Sequence, residues 1–311
     1  MNLSTCSITA YKSFPLLQLC IYTPVLILGV LLNMSALWVF CCKLSKWTET
    51  RVYMVNLAAA DCLLLFTLPF KTLSQFHQLK VGRWCLVLEG GYFINRLMSI
   101  AIVTVIAADR YLAIKFPLKA KFLRSPLKAA FVSLFLWTVI ICVVTLIKKL
   151  EAREQDQLCF EKSSVEPSVV TLGAVIGGFF IPLIILTYCS IQVIAELRRK
   201  KNESCHKEKS IRKAVCIVSA NLAVFIVCFL PLYLGHLLRF VMDSTSSNCS
   251  AIQRVNNFVH LASVLANTNC CLDAICYYFV NKEFKEASPK LVKSKSEGTK
   301  EAEIQLPRRT R

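Results

Sequence analysis

Asp61, Arg96, Asp109, Arg110 and Asp273 stand out in this sequence because each is an ionisable side chain inside a long apolar run. Burying a charge in an apolar medium is costly, so such residues are the first candidates for function. Asn33, Asn56, Asn95, Ser99, Asn267 and Asn269 accompany them. Asn95 and Ser99 are spaced i, i+4, as are Asn269 and Asp273, which puts each pair on one face of a helix. With Asp61, these groups could enclose a small aqueous cavity holding two carboxylates. Hard cations prefer such oxygen ligands. A sodium ion is one natural occupant, and a hydrogen-bonded network with a shared proton and no metal is the other.

Two further sets of residues carry chemistry. Asp109-Arg110-Tyr111 closes one apolar run. An arginine there stays charged and can engage a carboxylate or a partner's backbone carbonyls, or it can simply reach for the membrane boundary. Towards the opposite ends of the runs lie Lys148, Lys149, Arg153, His236, Arg239 and Arg254, with Tyr92 and Arg96 one turn apart on one helix face. A converging basic set in a partly apolar cavity favours an anion, because arginine binds a carboxylate or phosphate through two parallel hydrogen bonds. Arg96 is therefore the expected anchor of a small acidic ligand, such as an aromatic carboxylate or a lysophosphate. The alternative is that Arg96 pairs internally with Asp61 or Asp273 while the outer charges face solvent.

The elements that must position these groups are membrane spans. The chain has 311 residues, 55% of them hydrophobic, and a mean hydropathy of +0.54. Crossing the hydrocarbon core takes about 20 mostly apolar helical residues. Blocks of that kind occur at roughly 16–41, 52–73, 86–114, 129–147, 169–195, 214–240 and 255–280. The predicted fold is an all-α integral membrane protein, a seven-helix transmembrane bundle with short loops and no separate soluble domain. Residues 1–15 form the N-terminal segment, 16–287 the bundle, and 288–311 a polar, basic tail expected to be disordered. No cleavable signal peptide precedes the first block, which is expected to act as an uncleaved signal-anchor. Pro69, Pro182 and Pro231 fall within spans, where each removes a helix hydrogen bond and invites a kink.

The net charge of +18 could suggest nucleic-acid binding, but its placement argues otherwise. With a cytoplasmic C-terminus, 26 of the 37 Lys and Arg fall in inner segments and 10 in outer ones, with Arg96 inside the third span. That bias orients the N-terminus outside, and the charge is drawn to the anionic inner leaflet. Nucleic acid is not an expected partner.

Most of the 16 cysteines sit in predicted spans, where a thiol is a small apolar residue. Cys6, Cys85, Cys159 and Cys249 fall outside, in the oxidising compartment, and allow three pairings. Sequons at Asn2 and Asn248 also lie outside and are candidate glycosylation sites.

Taken together and in order, these motifs resemble class A, rhodopsin-like G-protein-coupled receptors over about residues 16–287. Gly29 and Asn33 resemble the first-helix motif, Asn56 to Asp61 the second-helix signature with its sodium-site aspartate, and Asp109-Arg110-Tyr111 the third-helix motif. Trp137 and Pro182 match the fourth- and fifth-helix markers. Phe225, Cys228, Phe229 and Pro231 match the sixth-helix F-x-x-C-W-x-P, and Asp273 to Tyr277 the seventh-helix N-P-x-x-Y. The resemblance implies a Cys85–Cys159 disulfide, which leaves Cys6 for Cys249. It also implies a short amphipathic eighth helix around Phe284, and a sixth helix that swings outward on activation to admit a G protein at Arg110. The switch set is then Asp109, Arg110, Tyr111, Phe225, Phe229, Pro231, Asp273 and Tyr277, and the possible sodium set Asp61, Asn95, Ser99, Asn269 and Asp273.

Departures from the pattern are Phe229 for the usual tryptophan, Asp273-Ala274 for Asn-Pro, Ser190 for the fifth-helix tyrosine, and Ile211 where an acidic partner of Arg110 is common. Tyr92 stands where amine receptors of this family carry an aspartate, so a protonated amine has no counter-ion. The runs Ala36–Cys42, Trp47–Arg51, Leu123–Pro126 and Asn269–Tyr278 narrow the likeness to one branch, neighboured by receptors for lysophospholipids and hydroxycarboxylic acids. That likeness implies heterotrimeric G proteins of the inhibitory or twelve/thirteen class as partners. Arrestin would bind a tail phosphorylated at Ser288, Ser294, Ser296, Thr299 or Thr310. No cysteine follows Phe284 to carry a palmitoyl anchor. A transporter would show paired repeats and broken helices, and an enzyme a nucleophile–base set or clustered histidines. Neither pattern is present in the sequence.

Overall fold

The computed structural model describes residues 14–44, 46–77, 82–150, 159–160, 167–203, 208–245 and 248–278. The predicted eighth helix and tail, Arg153, Cys6 and Asn2 lie outside the described residues. Among the described residues, seven helices are long and apolar enough to cross a membrane: Leu16–Lys43, Glu49–Ser74, Arg83–Lys115, Pro126–Lys149, Val169–Arg199, Ala214–Thr245 and Cys249–Cys276, numbered spans 1 to 7. All the described regular structure is helical.

Span 3 packs against spans 2, 4 and 5. Span 7 closes the bundle against spans 1, 2 and 6. The division of polarity anticipates this arrangement. The nearly uninterrupted span 4 buries only 17% of its most apolar stretch, whereas span 2, with its internal polar residues, buries 61%. In a bilayer the apolar faces left over meet lipid, so the polar spans form the inside of the bundle. Small residues allow close approach: a Cβ on Gly29 would come within 2.6 Å of Leu65. One turn on, Asn33 Nδ2 donates to the Cys270 carbonyl at 3.1 Å and so joins span 1 to span 7. Trp137 Nε1 donates to Asn56 Oδ1 at 3.0 Å and fixes span 4 to span 2. Phe179 of span 5 stacks on Tyr233 of span 6 at 4.3 Å and on Phe225 at 5.8 Å, deep in the core.

Among the described residues, irregular helix occurs within spans 1, 5 and 7. Spans 1 and 5 contain π-helical turns at Val39–Lys43 and Ile176–Phe180. The second ends just before Pro182, which has no N–H for the regular ladder. Span 7 has no proline, yet its helix is interrupted at Thr268, between Cys249–Asn267 and Asn269–Tyr278. There the Thr268 hydroxyl donates to the Leu265 carbonyl at 2.7 Å. The Thr268 backbone N–H turns to the same carbonyl at 3.1 Å, so the break falls five residues before Asp273 without a proline. Span 7 also begins earlier than hydropathy indicates, because Asn248 caps it by accepting from the backbone N–H of Ser250 and Ala251. Arg254 consequently stands on helix, exposed.

Candidate anion site and coupled polar core

At the end of the bundle that carries the Cys85–Cys159 disulfide, spans 2, 3 and 7 build one hydrogen-bonded cluster. Its centre is the Tyr92 hydroxyl. Arg96 Nη2 donates to it at 2.5 Å and Lys71 Nζ at 2.8 Å. The same two cations donate to Ser263 Oγ, each at 3.2 Å. The Tyr92 hydroxyl donates to Asn267 Oδ1 at 3.0 Å, and Asn267 Nδ2 donates to the Tyr22 hydroxyl at 2.8 Å. Lys71 and Arg96 also lie over the Tyr92 ring, 4.2 and 4.7 Å from its centroid, where the negative face of the ring attracts cations. Both cations are buried. Among the described residues, neither has a carboxylate within salt-bridge distance, and Asp61 and Asp273 are not partners of Arg96.

Tyr92 and Arg96 thus meet as their one-turn spacing predicts. Lys71 corrects the sequence reading, which counts it with the outer charges although the predicted span runs to 73. The signal is present: Asp61, Leu64, Leu68 and Lys71 fall at i, i+3, i+7 and i+10, and all four are buried on one face. Sequence reasoning also misses Ser263, which sits one turn before Asn267 on the inward stripe of span 7.

The remaining predicted ligand residues are spread around this centre. Lys148 is paired with the buried Glu89 at 2.7 Å. Arg239 is paired with Asp243 at 2.7 Å and donates to Asn256 at 2.9 Å. His236 is half-buried beside Tyr233, and Lys149 and Arg254 are exposed. Glu89, which the sequence does not single out, also holds the loop above it, because its Oε1 accepts the backbone N–H of Phe160 at 2.6 Å. Phe160 directly follows Cys159 and is the only described non-glycine residue with positive φ, at 63°, a conformation that disfavours a bulky side chain. Its ring meets Tyr92 edge-on at 5.9 Å.

Beneath the cluster, Arg96 borders a small cavity that Asp61, Asn95, Ser99, Phe229 and Asn269 also line. It has room for roughly one water-sized particle. Ser99 Oγ donates to Asp273 Oδ2 at 3.1 Å, and Asn269 Nδ2 donates to the same oxygen at 2.6 Å. Asn95 is turned to the Ala60 carbonyl at 2.7 Å. Asp61 Oδ2 and Asn269 Oδ1 are buried oxygens without a hydrogen-bond partner. Two unpartnered oxygens, one from the Asp61 carboxylate and one from the Asn269 amide, are the donor type that suits a small hard cation.

At the far end of span 3, Asp109 accepts two hydrogen bonds from Arg124, at 2.8 and 2.9 Å. Arg124 also reaches Glu49 at 3.6 Å, and the Asp109 hydrogen bonds hold its guanidinium above the usual arginine range. Arg110 has no ion pair or hydrogen bond among the described residues, and its Nε is buried and unsatisfied. Tyr111 packs edge-on against Tyr188 and Phe116. Phe225 and Phe229 pack together at 5.3 Å, and Pro231 lies within the helix of span 6. Tyr277 is helical, but its side chain and that of Ile211 are outside the described residues. The Cys85–Cys159 bond is present, as the family resemblance implies. Cys249 is also disulfide-bonded.

The sequence model of the family described as "7 transmembrane receptor (rhodopsin family)" matches residues 32–277. The chain is 41% identical over 263 residues to human G-protein coupled receptor 35, which covers 85% of this chain and 83% of that protein. It is 34% identical to human G-protein coupled receptor 55, over 86% of each chain. It is 31% identical to human lysophosphatidic acid receptor 6, over 84% of this chain and 80% of that one.

Proposed function

The chain belongs to the rhodopsin family of seven-transmembrane receptors, and from that premise we propose that it senses a small acidic ligand at the plasma membrane and activates heterotrimeric G proteins. The ligand is an aromatic carboxylate or lysophospholipid in type. The observation that carries this reading is the buried Lys71–Tyr92–Arg96 cluster, two cations with no carboxylate partner among the described residues. Uncompensated charge inside a membrane protein is costly, and an anionic ligand would remove that cost. One relative is named for a lysophosphatidic acid, which agrees with an anion-directed pocket. A hydroxycarboxylic acid or another lipid from a sister branch is the second reading, and the same cations would serve it.

In this reading the N-terminus is extracellular, and the disulfide end, bearing the candidate glycosylation site Asn248, faces outward. Arg110 is the coupling residue for a G protein of the inhibitory or twelve/thirteen class. Arrestin would follow phosphorylation of the tail. A sodium ion, if resident, would be held by Asp61, Asn95, Ser99, Asn269 and Asp273, where it would neutralise the carboxylates and favour the inactive packing around it. An anion then acts by binding the active arrangement more tightly than the inactive one.

G-protein dissociation in cells, recorded over a panel of acidic metabolites for wild type and Arg110→Ala, tests the proposal. A response in wild type that vanishes in Arg110→Ala at equal surface expression is expected. Silence of every G-protein class towards every acid would overturn it.

A further inference from the structure

Packing normally leaves few buried polar atoms without a partner, and two of those in this chain stand on spans 3 and 6. Asn221 lies one turn before Phe225 on span 6, and its Oδ1 is buried with no hydrogen-bond partner. Arg110 Nε, on span 3, is buried and unpartnered as well. The other such atoms belong to the cavity lined by Asp61 and Asn269, or to Gln18 and Arg51 in spans 1 and 2.

The position of Asn221 on its helix fixes the direction of its amide. Asn221, Phe225, Cys228, Phe229 and Leu232 fall at i, i+4, i+7, i+8 and i+11, and the last four are buried. Val227 and Leu234, on the opposite side of the helix, are 58% and 45% exposed. Asn221 therefore faces the bundle and not the lipid. What lies next to it along the stripe is apolar: Phe225 stacks on Phe179 and packs edge-on against Phe229. Leucine has nearly the shape of asparagine and would suit such a place. Asparagine instead sets an acceptor where the protein offers no donor, which destabilises the packing that covers it.

That cost belongs to one arrangement of span 6 and not to the other. Here both Asn221 Oδ1 and Arg110 Nε are covered. The outward swing of span 6 that the family resemblance implies would open a cavity at Arg110, where water satisfies both atoms. Only a free-energy difference between two states moves the balance between them, and an atom unsatisfied in one and hydrated in the other supplies it. The carboxylate next to Arg110 does not oppose the swing, because Arg124 occupies both oxygens of Asp109.

We infer that Asn221 is a positioning residue of the switch: its unpartnered amide loosens the covered packing of span 6 and sets the ligand-independent activity of the receptor. The inference takes its output from the G-protein reading under Proposed function and is independent of the ligand.

Leucine, asparagine and aspartate share one branched shape, so Asn221→Leu and Asn221→Asp change polarity at nearly constant volume. Full-length wild type and both variants in lipid nanodiscs are compared for Tm and for ligand-free nucleotide exchange on purified G proteins of the inhibitory and twelve/thirteen classes. Arg110→Ala gives the uncoupled baseline. Asn221→Leu should raise Tm and lower exchange above baseline by roughly tenfold, the factor that matches one buried unsatisfied polar group. Asn221→Asp, which keeps a polar group of the same shape, should hold exchange at the wild-type level or above. Unchanged or higher exchange in Asn221→Leu, a lowered Tm in that variant, or equal losses in Leu and Asp overturn the inference. So does wild-type exchange no greater than that of Arg110→Ala. An acid that drives exchange in the same preparation would then show that the receptor reading stands without it. Exchange absent with and without every acid would overturn the G-protein reading itself.

Discussion

Glu89 Oε1 accepts the backbone N–H of Phe160 at 2.6 Å, so the loop residue resting on Tyr92 is tied to span 3 by a side chain as well as by the adjacent disulfide. The other oxygen of Glu89 holds Lys148 at 2.7 Å. One buried carboxylate therefore fixes the end of span 4 and a loop residue that rests on Tyr92.

Replacing Glu89 by alanine strands Lys148 and frees the Phe160 N–H. Breaking a buried ion pair from one side costs about 3–5 kcal/mol. The expected outcome is a markedly lower Tm of the purified receptor together with weaker agonist binding. Glu89→Ala/Lys148→Ala should recover part of the Tm, because the stranded charge is gone. A double variant no more stable than Glu89→Ala would show that the pair is not what holds this end.

At the opposite end, both Asp109 oxygens are occupied by Arg124, which leaves Arg110 free of that carboxylate. Arg124→Ala releases Asp109 to restrain Arg110. The pair is partly exposed, with side-chain accessibilities of 29% and 11%, so its worth is about 1 kcal/mol. That corresponds to a change of about fivefold in an equilibrium. Basal G-protein activation should fall by roughly that factor in Arg124→Ala. A rise in basal activity would contradict the assignment.

If the unpartnered oxygens of Asp61 and Asn269 serve a sodium ion, sodium and agonist bind opposing states, and each weakens the other reciprocally. Replacing choline by sodium in the assay medium should lower agonist potency several-fold in wild type and leave Asp61→Asn unchanged. Equal sodium sensitivity in both would place the effect elsewhere.

Much of this architecture is legible in the sequence, for physical reasons that also mark where such legibility stops. Bilayer thickness imposes span length, so the seven blocks can be counted directly. Residues at one-turn spacing, such as Tyr92 and Arg96 or Asn269 and Asp273, can be paired because helices are the only elements available. Edges are less legible. Span 7 starts at Cys249 because Asn248 caps it, while Gln253, Arg254, Asn256 and Asn257 depress the hydropathy there. Lys71 is easily misread because a lysine close to a span end usually reaches outward to water. Here Tyr92 and Ser263, from spans 3 and 7, supply oxygens that turn it inward. Such a choice depends on residues distant in sequence, as does the pairing of Asp109 with Arg124.

In the proposed function an acidic agonist is anchored on Arg96, so its potency at Arg96→Ala against wild type, with surface expression matched, is the decisive measurement. Loss of a buried charge-assisted partner should cost the agonist its response, or shift its potency by two orders of magnitude or more. An acidic agonist that keeps wild-type potency at Arg96→Ala would refute Arg96 as the anchor.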